Sequence, residues 1–171
     1  MEIERAYLLK NIPRDLDKSK SVVIEIGDFF DSNTVDALKV RRKGDSYELI
    51  KKEGESLAKR VEHVIPIKKE EFDSLIKATV QNHKKTRYFY KIRGGICEID
   101  FYQGKLLGYA RVEVEFNSRK AMENFNPPEW FGQEITAINH EIHEHLGIVT
   151  FDGMKKRYAK KGIELKPIYL K

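Results

Sequence analysis

Acidic residues in this chain recur in pairs two positions apart: Glu2 with Glu4, Glu98 with Asp100, and Glu113 with Glu115. Cations do the same in Lys39/Arg41/Lys43 and in Lys85/Arg87, with Lys91/Arg93 further along. Residues two apart on a β-strand project to one face, and like charges on one face repel. A sheet face left to water has no need of such segregation, because Lys and Glu would alternate and pair across strands. Carboxylate oxygens are the ligands that Mg²⁺ and Mn²⁺ take. A polyanion calls for several Lys and Arg converging on it. The pattern therefore predicts a face that holds a divalent cation and a polyanion together. A sheet closed into a barrel with that face inward would enclose both, and a metal or a lysine across the lumen would offset the Glu2/Glu4 repulsion.

The elements that must position these residues are mostly strands. In KTRYFYKIR, Lys85, Arg87, Lys91 and Arg93 share one face with Phe89, while Thr86, Tyr88, Tyr90 and Ile92 share the other. CEIDF opposes Glu98 and Asp100 to Cys97, Ile99 and Phe101, and ARVEVEF opposes Arg111, Glu113 and Glu115 to Ala110, Val112, Val114 and Phe116. Period-two alternation of this kind marks strands with two unlike faces. Gly44-Asp45, Gly94-Gly95 and Gln103-Gly104 are expected turns. Helices are fewer. Phe72, Leu75, Ile76, Thr79 and Val80 follow helical spacing and predict a helix over about 69–83. Ser118 can cap a short helix ending before Pro127-Pro128, and Asp152 another that Gly162 would end. Trp130 and Phe131 are read as core packing.

The bounds agree with a soluble globular chain. It has 171 residues, 40% hydrophobic and 35% charged, enough to bury a core. No stretch has the ~20 apolar residues of a membrane span, and no signal peptide is visible. A single cysteine, Cys97, suits a reducing cytoplasm. From Ile148 onward seven Lys or Arg face only Asp152 and Glu164, so the tail carries the whole net charge of +5. The body is therefore not a basic nucleic-acid binder by composition, and the tail is read as a solvated basic helix.

With these residues in place, the chain resembles the CYTH superfamily, or triphosphate tunnel metalloenzymes. EIERAYL is similar to that family's opening E-x-E-x-K signature, through Glu2 and Glu4. LKVRRKGDSYELIKK carries Lys39 and Arg41 at an Arg-x-Arg position, with Lys52 (or Lys51) as the tunnel lysine. KRVEHVIP supplies Arg60 and Glu62, and KTRYFY supplies Lys85 and Arg87. CEIDFYQGKLLGYARVEVEF supplies Glu98, Asp100, Glu113 and Glu115; QEITAINHEIHEHLG parallels the closing segment through Glu134 and Thr136.

The resemblance implies an α+β fold: an eight-stranded antiparallel β-barrel forming a triphosphate tunnel over residues 1–147, with helices outside. Residues 148–171 would be a basic helical extension packed on or trailing from it. It implies Glu2, Glu4, Glu115 and Glu62 for Mg²⁺ or Mn²⁺, and Lys39, Arg41, Lys52, Arg60, Lys85 and Arg87 for phosphate. Glu2, Glu4, Glu113, Glu115 and Arg87 would carry catalysis, with Glu98, Asp100, Glu134 and His143 elsewhere in the tunnel. The expected activity is metal-dependent hydrolysis of an inorganic, nucleoside or organic triphosphate, since phosphoryl transfer asks mainly for positioning and charge neutralisation. Two alternatives stand: a polyphosphate- or nucleotide-binding module without turnover, and a class IV-type adenylyl cyclase. The expected partner is a small-molecule triphosphate or polyphosphate, with no membrane and no nucleic acid beyond an RNA 5′-triphosphate end; a homodimer is allowed for.

Several positions depart from the family pattern. Ala6 replaces the signature lysine, Val64 an acid, and Ile50 a threonine, while Glu141, His143 and His145 replace a tyrosine and asparagines. NHEIHEH is not the H-E-x-x-H of zinc peptidases, because Glu144 stands four after His140. Without a further Cys-His cluster it is read as a lid at the tunnel mouth, not a zinc site.

Overall fold

The computed structural model describes residues 3–17, 20–30, 36–56, 59–93 and 95–170. Nine strands form one antiparallel sheet: β1 (Glu4–Leu9), β2 (Ser21–Asp28), β3 (Ala37–Lys43), β4 (Ser46–Ser56), β5 (Lys59–Pro66), β6 (Gln81–Ile92), β7 (Gly95–Tyr102), β8 (Ala110–Glu115) and β9 (Phe131–Glu134). Their order across the sheet is β5-β4-β3-β2-β6-β7-β8-β1-β9. The expectation of eight strands thus gives way to nine, because residues 131–134 add an edge strand beside β1. No pairing joins β5 to β9 among the described residues, so ladder hydrogen bonds do not close the sheet into a barrel.

The predicted alternation sets the two faces. On one face, the cross-strand row Tyr7–Val112–Ile99–Tyr88 runs through β1, β8, β7 and β6, and all four side chains are buried. Ile12 and Leu16, Phe116, Phe125 and Trp130, and Ile168 and Leu170 cover this apolar face. Trp130 and Phe131 do pack there, 4.4 Å apart edge to face. Burying such side chains is worth roughly 1.5–3 kcal/mol each relative to exposure, which fixes the register, since a one-residue slip would turn every charge onto this apolar face.

The other face carries the charges. Among the described residues four α-helices accompany the sheet: α1 (Lys69–Leu75), α2 (Arg119–Glu123), α3 (Asn139–Ile142) and α4 (Phe151–Ala159). α1 lies on β3 and β4, with Phe72 against Tyr47. It is shorter than its apolar spacing predicts. Residues Ile76–Ala78 tighten into a 3₁₀ turn, Thr79 turns extended, and the Val80 amide donates to the Asp28 carbonyl. The turn packs so tightly on β2 that a Cβ at Gly27 would lie 2.6 Å from Ile76 and Thr79.

Ser118 caps α2 as expected, accepting from the Ala121 amide. Thr150, not Asp152, caps α4; Asp152 sits in the first turn instead. Gly162, past the end of α4, takes a left-handed φ of 73°, which glycine adopts without strain. α4 is not on the apolar side. Its Met154 and Tyr158 join Ala6, Leu8, Tyr102 and Tyr109 in a second core. No helix among the described residues is long and apolar enough to cross a membrane.

Candidate functional site

Register brings the charged pairs into one continuous face. Glu4 lies opposite Glu115, Glu113 opposite Glu98, and Asp100 between Arg111 and Arg87. Lys85 follows on β6, and the face continues through Asp28 to Lys39 and Arg41, then Glu48 and Lys52, then Glu62. Arg60 pairs with Gly54 at the same parity. Glu2 lies outside the described residues. A cavity of about 460 Å³ sits over this face, touched by Glu4, Lys39, His83, Lys85, Arg111 and Glu113 and roofed by the 136–146 segment. One cavity reached from both β3 and β1, with four strands between them, requires the sheet to curl around it.

Asp100 is the hub. It is 1% exposed at its side chain and takes salt bridges from Lys85, Arg87 and Arg111. Burial opposes its charge, yet Lys85, Arg87 and Arg111 together hold its carboxyl well below the usual carboxylate range. Arg87 also pairs with Glu98 and with Glu113 at 3.0 Å, and Arg111 with Glu113 at 2.7 Å. Burial pulls the Lys85 ammonium down to about 8, with Asp100 opposing and Arg111 and Arg87 adding to the fall. Burial, opposed by Arg87 and reinforced by the neighbouring acids Asp100, Glu113 and Glu115, raises the Glu98 carboxyl.

Outward along the sheet the pairs are simpler. Lys39 meets Asp28 at 3.1 Å, Arg41 meets Glu48 at 2.6 Å, and Lys52 meets Glu62 at 2.6 Å. Glu62 is thus engaged by Lys52 on β5, at the opposite end of the strand order from β1.

The roof is pinned to the sheet by polar contacts. Thr136 Oγ1 accepts from the Ala6 amide at 3.0 Å, and Arg111 donates to Asn139 at 3.0 Å. The Tyr109 hydroxyl bridges His143 Nε2 at 2.6 Å and the Tyr158 hydroxyl at 2.8 Å. Arg157 of α4 donates to the Ile142 carbonyl at 2.8 Å and to that of Glu144. His143 does line the cavity, and burial, with Arg111 and Lys85 nearby, holds it neutral well below its ordinary range.

Two sequence expectations change. Glu134 pairs in register with Tyr7 and not with a charged-face residue, and Arg5, on the same side of β1 as Tyr7, binds both of its oxygens. Its carboxyl is lowered chiefly by that bond. Ala6, where the resembling signature has lysine, is 1% exposed inside the apolar cluster with Leu8 and Ile135. Arg111, Asp28 and His83 were not expected at the site. Arg111 shares the period-two pattern of Glu113 and Glu115, which was the available signal; His83 was hidden in the predicted helix.

Among the described residues no three carboxylate, histidine or thiolate groups gather closely enough to hold a metal. The donor chemistry nevertheless fits a hard divalent cation. Glu4 and Glu115 are direct register partners, Glu98 and Glu113 stand beside them on the same face, and all offer carboxylate oxygens.

Comparison with known proteins agrees with this geometry. Residues 1–158 match the CYTH domain family. The inorganic triphosphatase of Nitrosomonas europaea is 34% identical over 137 residues, covering 79% of this chain and 89% of that protein. The crystal structure of the inorganic triphosphatase NE1496 superposes with a TM-score of 0.70 at 31% identity, over 86% of this chain and 95% of that one. HpAC1 from Hippeastrum, an adenylyl cyclase candidate with a dominant triphosphatase activity, shares the fold at a TM-score of 0.51 and 15% identity, over 96% and 98%. With its charged pairs in register and the family matched over most of its length, the chain belongs to the CYTH domain family.

Proposed function

We propose that this protein is a divalent-metal-dependent hydrolase of triphosphate, with inorganic triphosphate as its best-supported substrate. The observation that carries this reading is the face where Lys39, Lys85 and Arg111 line one cavity beside Glu4 and Glu113. The Nitrosomonas europaea relative, an inorganic triphosphatase, supports the choice of substrate.

Lys39, Arg41, Lys52, Arg60, Lys85 and Arg87 would hold phosphate oxygens. Most of these cations already hold a carboxylate. A phosphate arriving at Arg87 competes with Glu98 and Glu113 for it; the freed carboxylates stay in the site, so the added negative charge has to be offset by a divalent cation. Glu2, Glu4 and Glu115 would hold Mg²⁺ or Mn²⁺, with Glu62 as a ligand only if the β5 wing folds toward β1. A bound divalent cation supplies charge neutralisation on the phosphates. Glu113 and Arg87 then sit where negative charge is redistributed, and the pinned roof limits water around them. In this reading the curled sheet is a tunnel over residues 1–147, and the segment from 148 stops one end.

The test is phosphate release from inorganic triphosphate, ATP and thiamine triphosphate, each with Mg²⁺, Mn²⁺ or chelator. Release from inorganic triphosphate that needs a divalent ion and is lost in Arg87→Ala is the expected result. No release from any substrate overturns turnover. Tight binding without release would favour the binding-module reading, which the burial of Ala6 in place of a lysine supports. Cyclic AMP from ATP would favour the cyclase.

A further inference from the structure

His83 occupies the charged face opposite Ile26 and two residues before Lys85. Its ring lines the cavity, and the Tyr102 ring lies 6.1 Å away. Part of the residue reaches solvent, but Nδ1 is shut off from it and has no hydrogen-bond partner among the described residues. An unpaired buried ring nitrogen costs about 1–3 kcal/mol, and native structures seldom leave one without a reason. The surroundings are cationic. Lys85 on its own strand, Lys39 on β3 and Arg111 on β8 oppose its protonation, and Asp100 on β7 favours it. Asp28 on β2 and His143 from α3 line the same cavity, and the 146–148 turn packs on β6. Burial first, then these cations, hold the imidazole neutral, down to about 3.

We propose that His83 is a phosphate-contacting residue, donating from its ring to an oxygen of a triphosphate held in the cavity. The inference rests on the triphosphate reading of that cavity. A neutral imidazole donates from one nitrogen only; an imidazolium donates from both. A polyanion entering among Lys39, Lys85 and Arg111 reverses the local field that keeps the ring neutral. A turn of the ring about its Cβ–Cγ bond would bring the orphaned nitrogen to the cavity, His83 takes one proton from solvent, and binding becomes linked to proton uptake.

Two measurements on the full chain test this, with inorganic triphosphate in metal-free buffer so that nothing is hydrolysed. The first follows the His83 imidazole signals by NMR against pH. Triphosphate should move its titration up from about 3 to above about 6, so that the bound ring is charged where the second measurement is made. The second is calorimetry in buffers of different ionisation heat near pH 6, where wild type should take up protons that His83→Gln does not. The affinity ratio of wild type to His83→Gln should grow as pH falls, by up to about tenfold per unit. The ligand's own protonation cancels in that ratio. Binding with unmoved His83 signals, or with equal proton uptake in both proteins, overturns the proposal. If wild type binds no triphosphate, the reading of the cavity itself fails and His83 falls with it.

Discussion

The charged face has two halves that are built differently. Around Asp100, on β6, β7 and β8, ions share partners: one carboxylate serves three cations, and Arg87 serves three carboxylates. On β3, β4 and β5 each cation has one main partner, and Arg41 keeps 32% of its side chain exposed. A dry shared network is strongly held together but costly to break. A half-exposed pair is worth about 0–1 kcal/mol and opens readily. The centre therefore holds shape, and the wing can hand its cations to an incoming anion.

The largest blow to that contrast should come at the hub. Asp100→Asn leaves Lys85, Arg87 and Arg111 short of their common counter-charge, and should cost roughly 3–5 kcal/mol of stability by denaturant unfolding. A loss under 1 kcal/mol would mean the centre is no more rigid than the wing. Acid should also strike the centre. The unfolded chain protonates its histidines near about 6.5, whereas folded His83 resists to about 3 and His143 stays well below its ordinary range. The native state thus loses stability as pH falls below about 6.5, by up to about 1.4 kcal/mol per unit for each histidine. Below about 3.9 Asp100 adds a loss of the same sign. Thermal melts from pH 7.5 to 5 check this, and a flat profile would contradict the neutral histidines.

Arg41→Ala should do the reverse of Asp100→Asn. Triphosphate binding should weaken about tenfold, one charge-assisted contact, while stability moves by less than about 1 kcal/mol. Equal binding by Arg41→Ala and its parent would remove the wing from the site. Lys160→Ala, at the exposed residue that follows α4, should leave melting temperature and binding unchanged, and a measurable effect would give the basic tail a role in the site.

Much of this was legible in the chain. The parity of Glu98, Asp100, Glu113 and Arg87 was readable because a strand repeats every two residues, and the buried row from Tyr7 to Tyr88 leaves only one register. What each charge does there was not. Which of the neighbouring ions on β6 and β8 converge on Asp100 depends on side-chain reach across the strands, and Glu134 as a partner of Arg5 depends on a contact 129 positions away in the chain; no local pattern encodes either. His83 was lost because Thr79 and Val80 fall at helical spacing from Phe72. Their extended conformation comes from the Val80 bond to Asp28 and from packing against Gly27, both supplied by β2. The docking of α4 was equally hidden, since Met154 and Tyr158 find their partners on β1, β7 and the turn after it.

The position of β1 between β8 and β9 has a kinetic consequence. Its contacts reach across the chain, with 129 residues separating Arg5 from Glu134. Loops of that length are entropically slow to close, so folding rate falls as such pairings dominate. β1 leaves the ribosome before β8 and β9 are made and must wait for both. Glu4 meets Glu115 only then, and a partly synthesised chain has an ionic face without its first wall.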